Sequence, residues 1–312
     1  MLLAMARSNA IPQRQNEEDQ LRLMRARQWT YRVATRFLTA QIILTVAIPI
    51  LGSILTIFFP GVRPHLAALA LTILVLDTVY LDRHYKSLVK RSAKISEQYD
   101  CVVLELPWNN FVVGEKAEPE DIGRAARAWS ANESDDELRD WYPVAAGAMP
   151  ISLGRILCQR TNLRYDSSLR QTFGSVILVL VTLVVGGLVV AGLVEDLSLT
   201  AWVLTLAPAT PLLSWAGREY YRQRDTIEQL DKLKAKATSF GDEALAGRCD
   251  ETQCLARSRA FQDAIYLRRA TSPLVIPYLY KFKRRSLEGE MEDAAAEFLK
   301  AYENLTPRET PA

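Results

Sequence analysis

Four long apolar runs alternate with charged stretches along this chain of 312 residues. The runs cover residues 37–59, 65–81, 173–194 and 197–216. The first contains no charged side chain, and Asp77 is the only acid in the second. Because a helix of roughly 20 apolar residues crosses a bilayer core of about 30 Å, the pattern predicts four transmembrane helices.

Basic residues cluster at one end of each of the four runs. They stand before the first, after the second, before the third and after the fourth run: Arg22, Arg25, Arg27, Arg32, Arg36, Arg83, Lys86, Lys90, Arg91, Lys94, Arg160, Arg164, Arg170, Arg218, Arg222 and Arg224. The two short turns within the pairs of runs hold only Arg63. Because Lys and Arg resist translocation, we expect both chain ends and the central region to be cytoplasmic. The spans then form two hairpins that point outward.

This orientation divides the chain into five segments. They are a cytoplasmic N-terminal helix (1–36), a first transmembrane hairpin (37–81), a cytoplasmic central region (82–172), a second hairpin (173–216) and a cytoplasmic helical tail (217–312). Charges at helical spacing predict that the cytoplasmic parts are mostly helical. In the central region we expect a helix, a short extended segment and further helices. The predicted fold class is mainly α, in a polytopic membrane protein.

The composition restricts the class of partner. Hydrophobic residues make up 49% of the chain and charged residues 24%, and the two groups occupy different stretches. The net charge of +2 is too small for general attraction to a DNA or RNA polymer, so nucleotide binding requires a local site. All four cysteines are in segments predicted to be cytoplasmic, where we expect free thiols.

No common catalytic signature occurs in the sequence. The chain has two histidines, His65 and His84, and lacks an HExxH motif, a Walker A loop, a GxGxxG turn and a GxSxG elbow. Cys249 and Cys254 have C-x4-C spacing, but without a second pair they do not indicate zinc. We therefore predict neither catalysis nor a metal or cofactor. A nucleophile pair of Cys101 and His84 is an alternative that the sequence leaves open.

The central region contains aromatic, amide and guanidinium side chains that suit a nucleotide. Aromatic faces stack on bases, and guanidinium groups bind phosphates. The candidate ligand-binding residues are Trp108, Asn109, Trp141, Gln159, Arg160, Asn162 and Arg164. Of these, Trp108, Arg160 and Arg164 are the first candidates. The alternative is that they are buried aromatics and helix-surface arginines near the membrane.

Four residues are candidates for a pore or gate: Pro49, Asp77, Pro208 and Pro211. An acid at the centre of a membrane helix costs about 2.5 to 3.5 kcal/mol and often marks an ion pathway. Asp77 is about one turn from the predicted cytoplasmic end, where pairing with Arg83 or a neighbouring helix is the alternative. Proline removes a backbone donor and bends helices, which suits a gate and also occurs in ordinary membrane bundles.

Several sequence blocks resemble a known family. They are IPQRQNEEDQLRLMRARQWTYRVATRF before the first run, YDCVVLELPWN and WYP in the central region, CQRTNLRYDSSLRQ before the third run and FQDAIYLRRATSPLVIPYLYKFKRR near the end. Together they resemble the bacterial four-transmembrane effectors associated with cyclic-oligonucleotide synthetases in antiphage defence. The positions that match this family are Trp108, Asn109, Trp141, Gln159, Asn162, Asp166, Gln262, Arg268 and Pro277.

The resemblance implies a function. A cyclic di- or oligonucleotide messenger made by the synthetase on infection is expected to activate the protein, which then forms pores in the bacterial inner membrane or disrupts it. The family brings no catalytic residues with it. Because four helices of one chain can pack without enclosing an aqueous path, we expect a homo-oligomer in the lipid bilayer. The alternatives are a noncatalytic membrane scaffold or signalling protein and a membrane enzyme with an unrecognised site.

Overall fold

The computed structural model describes residues 8–48, 63–194, 210–275 and 277–305, together with residues 51, 52, 59 and 198. Within these residues the chain forms ten α-helices: α1 (Ile11–Arg14), α2 (Glu18–Ile42), α3 (Arg63–Leu76), α4 (Asp82–Val103), α5 (Asn110–Val113), α6 (Pro119–Ser130), α7 (Ile151–Val194), α8 (Thr210–Leu245), α9 (Glu251–Thr271) and α10 (Pro277–Leu305). Two π-helical turns, Ile43–Ala47 and Asp77–Leu81, follow α2 and α3, and a 3₁₀ helix, Val144–Ala148, precedes α7.

The described residues contain no β-strand, and where a short extended segment was predicted in the central region the chain continues as helix to Val103 and then becomes irregular. Helix α4 continues to Val103 because Tyr99 and Val103, one turn apart, both face the core. A Schellman motif ends the helix: the Leu106 N–H donates to the Cys101 carbonyl over 2.8 Å, and Glu105 has a left-handed φ of 51°. An irregular link then leads to α5.

One large apolar cluster holds the helices outside the predicted spans together. Its buried members come from most of the helices, and those on α2, α4, α7, α8 and α10 include Leu21, Met24, Tyr99, Leu153, Ile156, Leu157, Phe240, Ala295 and Phe298. Helix α2 packs against α4 and α6, and α9 contacts both α4 and α7. Helix α7 also contacts α8 and α10. Side chains on different faces of α7 therefore reach different neighbours.

Helices α7 and α8 run antiparallel in the described residues that lead into the second predicted hairpin. Ser167 donates to Asp231 over 3.0 Å, and Arg170 donates to Gln223 over 2.8 Å. Further along, Phe173 belongs to the same buried cluster as Ala216. As the residue numbers on α7 rise, the numbers of their contact residues on α8 fall, so the two helices run in opposite directions.

Exposed apolar side chains are frequent in the runs predicted to cross the membrane. Leu71 and Val79 are 65% and 67% exposed, and Leu183 and Leu193 are 70% and 76% exposed. Among the described residues, one helix is long and apolar enough to cross a bilayer. It is the part of α7 from Ile151 to Gly187, judged by length and composition. It includes most of the predicted third span.

Of the other three predicted spans, two are described only in part, and the third consists of two helical elements. Residues 37–59 and 197–216 lie partly outside the described residues, whereas residues 65–81 form α3 and the π-helical turn that follows it. Two of the gate candidates, Pro49 and Pro208, also lie outside the described residues.

The backbone is described at the other two gate candidates, Asp77 and Pro211. Asp77 begins the second π-helical turn, and its Oδ1 atom is buried without a hydrogen-bond partner among the described residues. Arg83, the alternative partner predicted for Asp77, therefore makes no hydrogen bond with Asp77 Oδ1. Pro211 is in the first described turn of α8, where the missing proline N–H interrupts no hydrogen bond of the described helix.

Candidate functional site

A cleft of about 410 Å³ opens between α7, α8 and α10. Its polar lining consists mainly of three basic residues, three acidic residues and a tyrosine: Arg160, Arg164, Lys234, Glu290, Asp293, Glu297 and Tyr165. Small-molecule sites usually enclose about 300 to 1,000 Å³, so the space suits a ligand of nucleotide size. We call this site the α7–α10 cleft.

Helices α7 and α8 supply the basic side of the cleft. Arg160 and Arg164 are four residues apart on α7 and share one face, one turn from each other. Leu157, one turn earlier, is buried in the main cluster and anchors this face. On α8, the Lys234 ammonium lies 3.0 Å from Asp231 Oδ1. Three cations thus converge on the cleft from two helices.

Helix α10 places carboxylates opposite these cations. Glu290, Asp293 and Glu297 follow i, i+3, i+7 spacing and so lie along one face of the helix. The buried side chain of Leu287 holds the start of this face against the protein. Glu290 Oε2 accepts a hydrogen bond from Arg164 Nη2 over 3.2 Å. The basic and acidic sides of the cleft are therefore linked at one point by an ion pair.

The chemistry of the cleft suits a phosphorylated nucleotide. Guanidinium groups form charge-assisted hydrogen bonds with phosphate oxygens, and an aromatic ring stacks on a base. The structure brings the predicted residues Arg160 and Arg164 together and adds Tyr165 and Lys234, which the sequence reasoning did not select. Tyr165 directly follows Arg164, so the sequence around Arg164 could have indicated it. Lys234 comes from a distant segment, and nothing in the sequence around it indicates a site.

Trp108 and Asn109 lie outside the cleft. The Trp108 indole N–H donates to the Gly114 carbonyl over 3.0 Å. The Asn109 side chain caps α5 by accepting from the Phe111 N–H over 3.1 Å, and its amide donates to Asp263 over 2.9 Å. These bonds hold the link between α4 and α5 and attach it to α9.

Trp141 also lies outside the cleft. The guanidinium carbon of Arg27 is 4.3 Å from its ring centroid, a cation–π contact that joins the loop before the 3₁₀ helix to α2. An arginine of the protein thus occupies an indole face on which a base would otherwise stack.

Gln159 and Asn162 contribute to a buried polar network, although they are on the same helix as Arg160. Gln159 donates to the Ser258 carbonyl over 2.7 Å and to Gln262 Oε1 over 3.2 Å. Asn162 donates to the Tyr142 hydroxyl over 2.9 Å. Because successive helical residues are rotated by roughly 100°, neighbours on α7 face different partners.

Asp100 is one centre of this network. Its buried carboxylate accepts hydrogen bonds from the Tyr142 hydroxyl over 2.6 Å, from Gln262 over 2.8 Å and from Arg269 over 2.5 Å. The chain Asn162–Tyr142–Asp100 therefore connects α7 with α4, and Gln262 and Arg269 extend the connection to α9. These buried hydrogen bonds, three of them to one carboxylate, hold the three helices in fixed relative positions.

Glu97, one turn before Asp100, is the second centre. It is completely buried and accepts from Arg259 over 2.5 Å and from Gln262 over 2.9 Å. Burial raises the pKa of Glu97 and the neighbouring Asp100 raises it further, whereas Arg259 acts in the opposite direction. Sequence reasoning missed both carboxylates, because charged residues at helical spacing usually face solvent. The matches of Gln159, Asn162 and Gln262 to the family pattern marked this region, but not the role of the two carboxylates.

Comparison with known proteins decides the family. A model of the SMODS-associating 4TM effector domain matches residues 9–298. The chain belongs to this family. The resemblance recognised in the sequence is thereby confirmed.

This SMODS-associating 4TM effector also has a relative among known proteins. It is 26% identical over 289 residues to a probable CBASS effector molecule of Bacillus cereus (strain VD146), a match that covers 89% of this chain and 95% of the relative. No solved structure matches the chain. Family membership agrees with a membrane protein, and the matched residues include the whole polar lining of the α7–α10 cleft.

Proposed function

We propose that this SMODS-associating 4TM effector is a cyclic-nucleotide-activated, membrane-disrupting effector of bacterial antiphage defence. Family membership and the similarity to a probable CBASS effector molecule support an effector role linked to a cyclic-oligonucleotide synthetase. The observation that carries the proposal is the continuity of α7, which presents Arg160 and Arg164 to the cleft and exposed apolar side chains further along. One helix thus connects a ligand cleft with a predicted span.

The messenger binds in the α7–α10 cleft. Arg160, Arg164 and Lys234 bind its phosphates, and Tyr165 stacks on a base. A cyclic di- or oligonucleotide carries several phosphates on a compact ring, which matches cations that approach the cleft from two helices. The nucleotide is a regulator and not a substrate, since the proposed role needs binding and no bond is broken.

The membrane part consists of four helices in two hairpins in the bacterial inner membrane, with both termini cytoplasmic. The exposed apolar side chains of α3 and α7 support contact with lipid, because such a surface is unfavourable in water. Activation assembles or rearranges several copies of the chain into a membrane lesion, since one four-helix bundle need not enclose an aqueous path. No catalytic group takes part.

Messenger binding activates the protein only by favouring the active arrangement. A shift from 1:99 to 99:1 requires about 5.5 kcal/mol of differential binding. Displacement of α10 by the ligand is transmitted through α7 and α8, which both join the cleft to predicted spans. Asp77, at the start of a π-helical turn, and Pro49, Pro208 and Pro211 are the gate candidates, since π-helical turns often occur at functional positions.

Liposome leakage tests the proposal. Purified full-length protein in liposomes is exposed to a panel of cyclic dinucleotides and trinucleotides, and dye release, membrane potential and chemical crosslinking are recorded. One messenger is expected to trigger leakage together with a larger crosslinked species. Arg160→Ala and Arg164→Ala should abolish the response, whereas Arg139→Ala, an exposed arginine outside the cleft, should retain it.

Two outcomes would contradict the proposal. A messenger that binds tightly without leakage or depolarisation at any protein density would favour a noncatalytic scaffold. Conversion of the added nucleotide by the wild-type protein, in proportion to protein concentration, would favour a membrane enzyme.

A further inference from the structure

Cys249 and Cys254 lie side by side at the connection between α8 and α9. Their Sγ atoms are 2.6 Å apart, and both side chains belong to the main apolar cluster. All four cysteines of the chain are free thiols in this structure. A disulfide bond has a length of about 2.05 Å, so these two sulfurs need to approach each other by only roughly 0.6 Å.

The local backbone holds the two thiols in this position. Cys249 directly precedes Asp250, whose side chain caps α9 by accepting from the Gln253 N–H over 2.8 Å. The Cys254 N–H donates to the Asp250 carbonyl over 2.8 Å. Gly247 has a φ of 68°, which a residue with a side chain rarely adopts, and it turns the chain between the two helices. The cap and the glycine turn thus hold the two cysteines next to each other.

We propose that Cys249 and Cys254 are a modification site that forms a reversible intramolecular disulfide. The oxidant is a low-molecular-weight disulfide, which is reduced to two thiols while the two cysteines are oxidised. In the first step a Cys249 thiolate attacks the oxidant, forms a mixed disulfide and releases one thiolate. In the second step Cys254 attacks the Cys249 sulfur and releases the second thiolate. The protons of the two cysteines pass to the released thiolates through solvent.

The order of the two steps follows from access and acidity. Cys249 is 9% exposed and Cys254 is 2% exposed, so the oxidant reaches Cys249 first. Burial raises the pKa of the Cys254 thiol to about 12, and the adjacent Cys249 adds to this effect. Cys254 is therefore a poor first nucleophile, but it is already beside the sulfur that it attacks in the second step.

The bond joins the connection after α8 to the start of α9. Helix α8 carries Lys234 of the cleft, and α9 carries Arg259 and Gln262 of the buried network. Oxidation therefore stiffens the joint between these two parts of the protein. We expect slower amide exchange in residues 246–254 of the oxidised form.

Peptide mapping of the full-length protein in detergent tests the site. Trypsin cleaves after Arg248 and Arg257, so both cysteines fall in one peptide, residues 249–257. After treatment with oxidised glutathione, this peptide should be lighter by about 2 Da and resist alkylation, and reduced glutathione should reverse both changes. Cys101 and Cys158, which lie on α4 and α7, should stay alkylatable after denaturation.

A trapping variant separates the proposed chemistry from general oxidation. Cys254→Ser should accumulate one glutathione adduct on Cys249, whereas the wild type should show the internal bond instead. Two free thiols in the wild-type peptide after equilibration with oxidised glutathione would overturn the proposal. A zinc ion retained by the pair through purification, with resistance to oxidation until it is chelated, would also overturn it.

Discussion

Arg164 on α7 and Glu290 on α10 form an ion pair across the mouth of the α7–α10 cleft, with 3.2 Å between Nη2 and Oε2. Their side chains are 56% and 47% exposed, so solvent screens the attraction and the pair is worth at most about 1 kcal/mol. A phosphate group competes directly with Glu290 for the Arg164 guanidinium. The proposed messenger thus replaces a contact between α7 and α10.

Glu290→Gln is expected to strengthen messenger binding by up to about fivefold, because it removes a competitor worth at most about 1 kcal/mol. Arg164→Ala should weaken binding by about 10- to 150-fold, since it removes a charge-assisted hydrogen bond. Titration calorimetry of the detergent-solubilised protein measures both effects. The control is Glu303→Gln, an exposed carboxylate on α10 outside the cleft. Weaker binding by Glu290→Gln, or equal gains in both Glu variants, would contradict the competition.

Tyr165→Ala should weaken messenger binding by about five- to 150-fold, because base stacking on an aromatic ring contributes roughly 1 to 3 kcal/mol. Tyr165→Phe keeps the ring and should retain the wild-type affinity. A ligand role for Trp108 stays a prediction from the sequence, and Trp108→Ala tests it in the same titration. If Trp108→Ala loses affinity with an unchanged melting temperature while Tyr165→Ala binds normally, the messenger site is at the link between α4 and α5.

Glu97→Gln should remove one source of pH dependence from the stability. Burial raises the pKa of Glu97 in the folded protein above the ordinary value of 4.5, so the folded state holds the proton more tightly than the unfolded state. The contribution of Glu97 to stability is complete below pH 4.5 and is lost as the pH rises through the folded pKa. The wild type should therefore lose stability relative to Glu97→Gln as the pH rises above 4.5 and through the folded pKa.

Thermal unfolding at a series of pH values measures this divergence. Glu303→Gln serves as the control for an exposed carboxylate and should follow the wild type at every pH. Parallel curves for the wild type and Glu97→Gln would show that Glu97 has the same proton affinity in the folded and unfolded states.

Reporter fusions test the predicted orientation. Fusions after residues 62 and 195 should be exported, and fusions after residues 130 and 312 should remain cytoplasmic, because the basic residues flank the inner ends of the runs. Paired reporters that are active on opposite sides of the membrane give each fusion a positive signal. An exported fusion at residue 130 or 312 would contradict the two-hairpin arrangement.

Helical periodicity was enough to predict the parts of the site in which two residues one turn apart share a helix face. Arg160 and Arg164 share a face because they are four residues apart, and the sequence shows this without a structure. Local pattern was insufficient at the end of α4, where a short extended segment was predicted. There the Schellman motif around Glu105 turns the chain directly from a helix into an irregular link.

The amino-acid sequence by itself determined the helical class, the four apolar runs and the family, since each depends on patterns that are local or shared along the chain. Only the tertiary structure decided that Lys234 lines one cleft with Arg164, that Glu290 pairs with Arg164, and that Glu97 is buried beside Arg259. These residues come from helices far apart in the sequence, and their meeting depends on how whole helix faces pack. A charged residue at helical spacing looks the same in the sequence whether it faces water or a buried partner, and packing alone distinguishes the two.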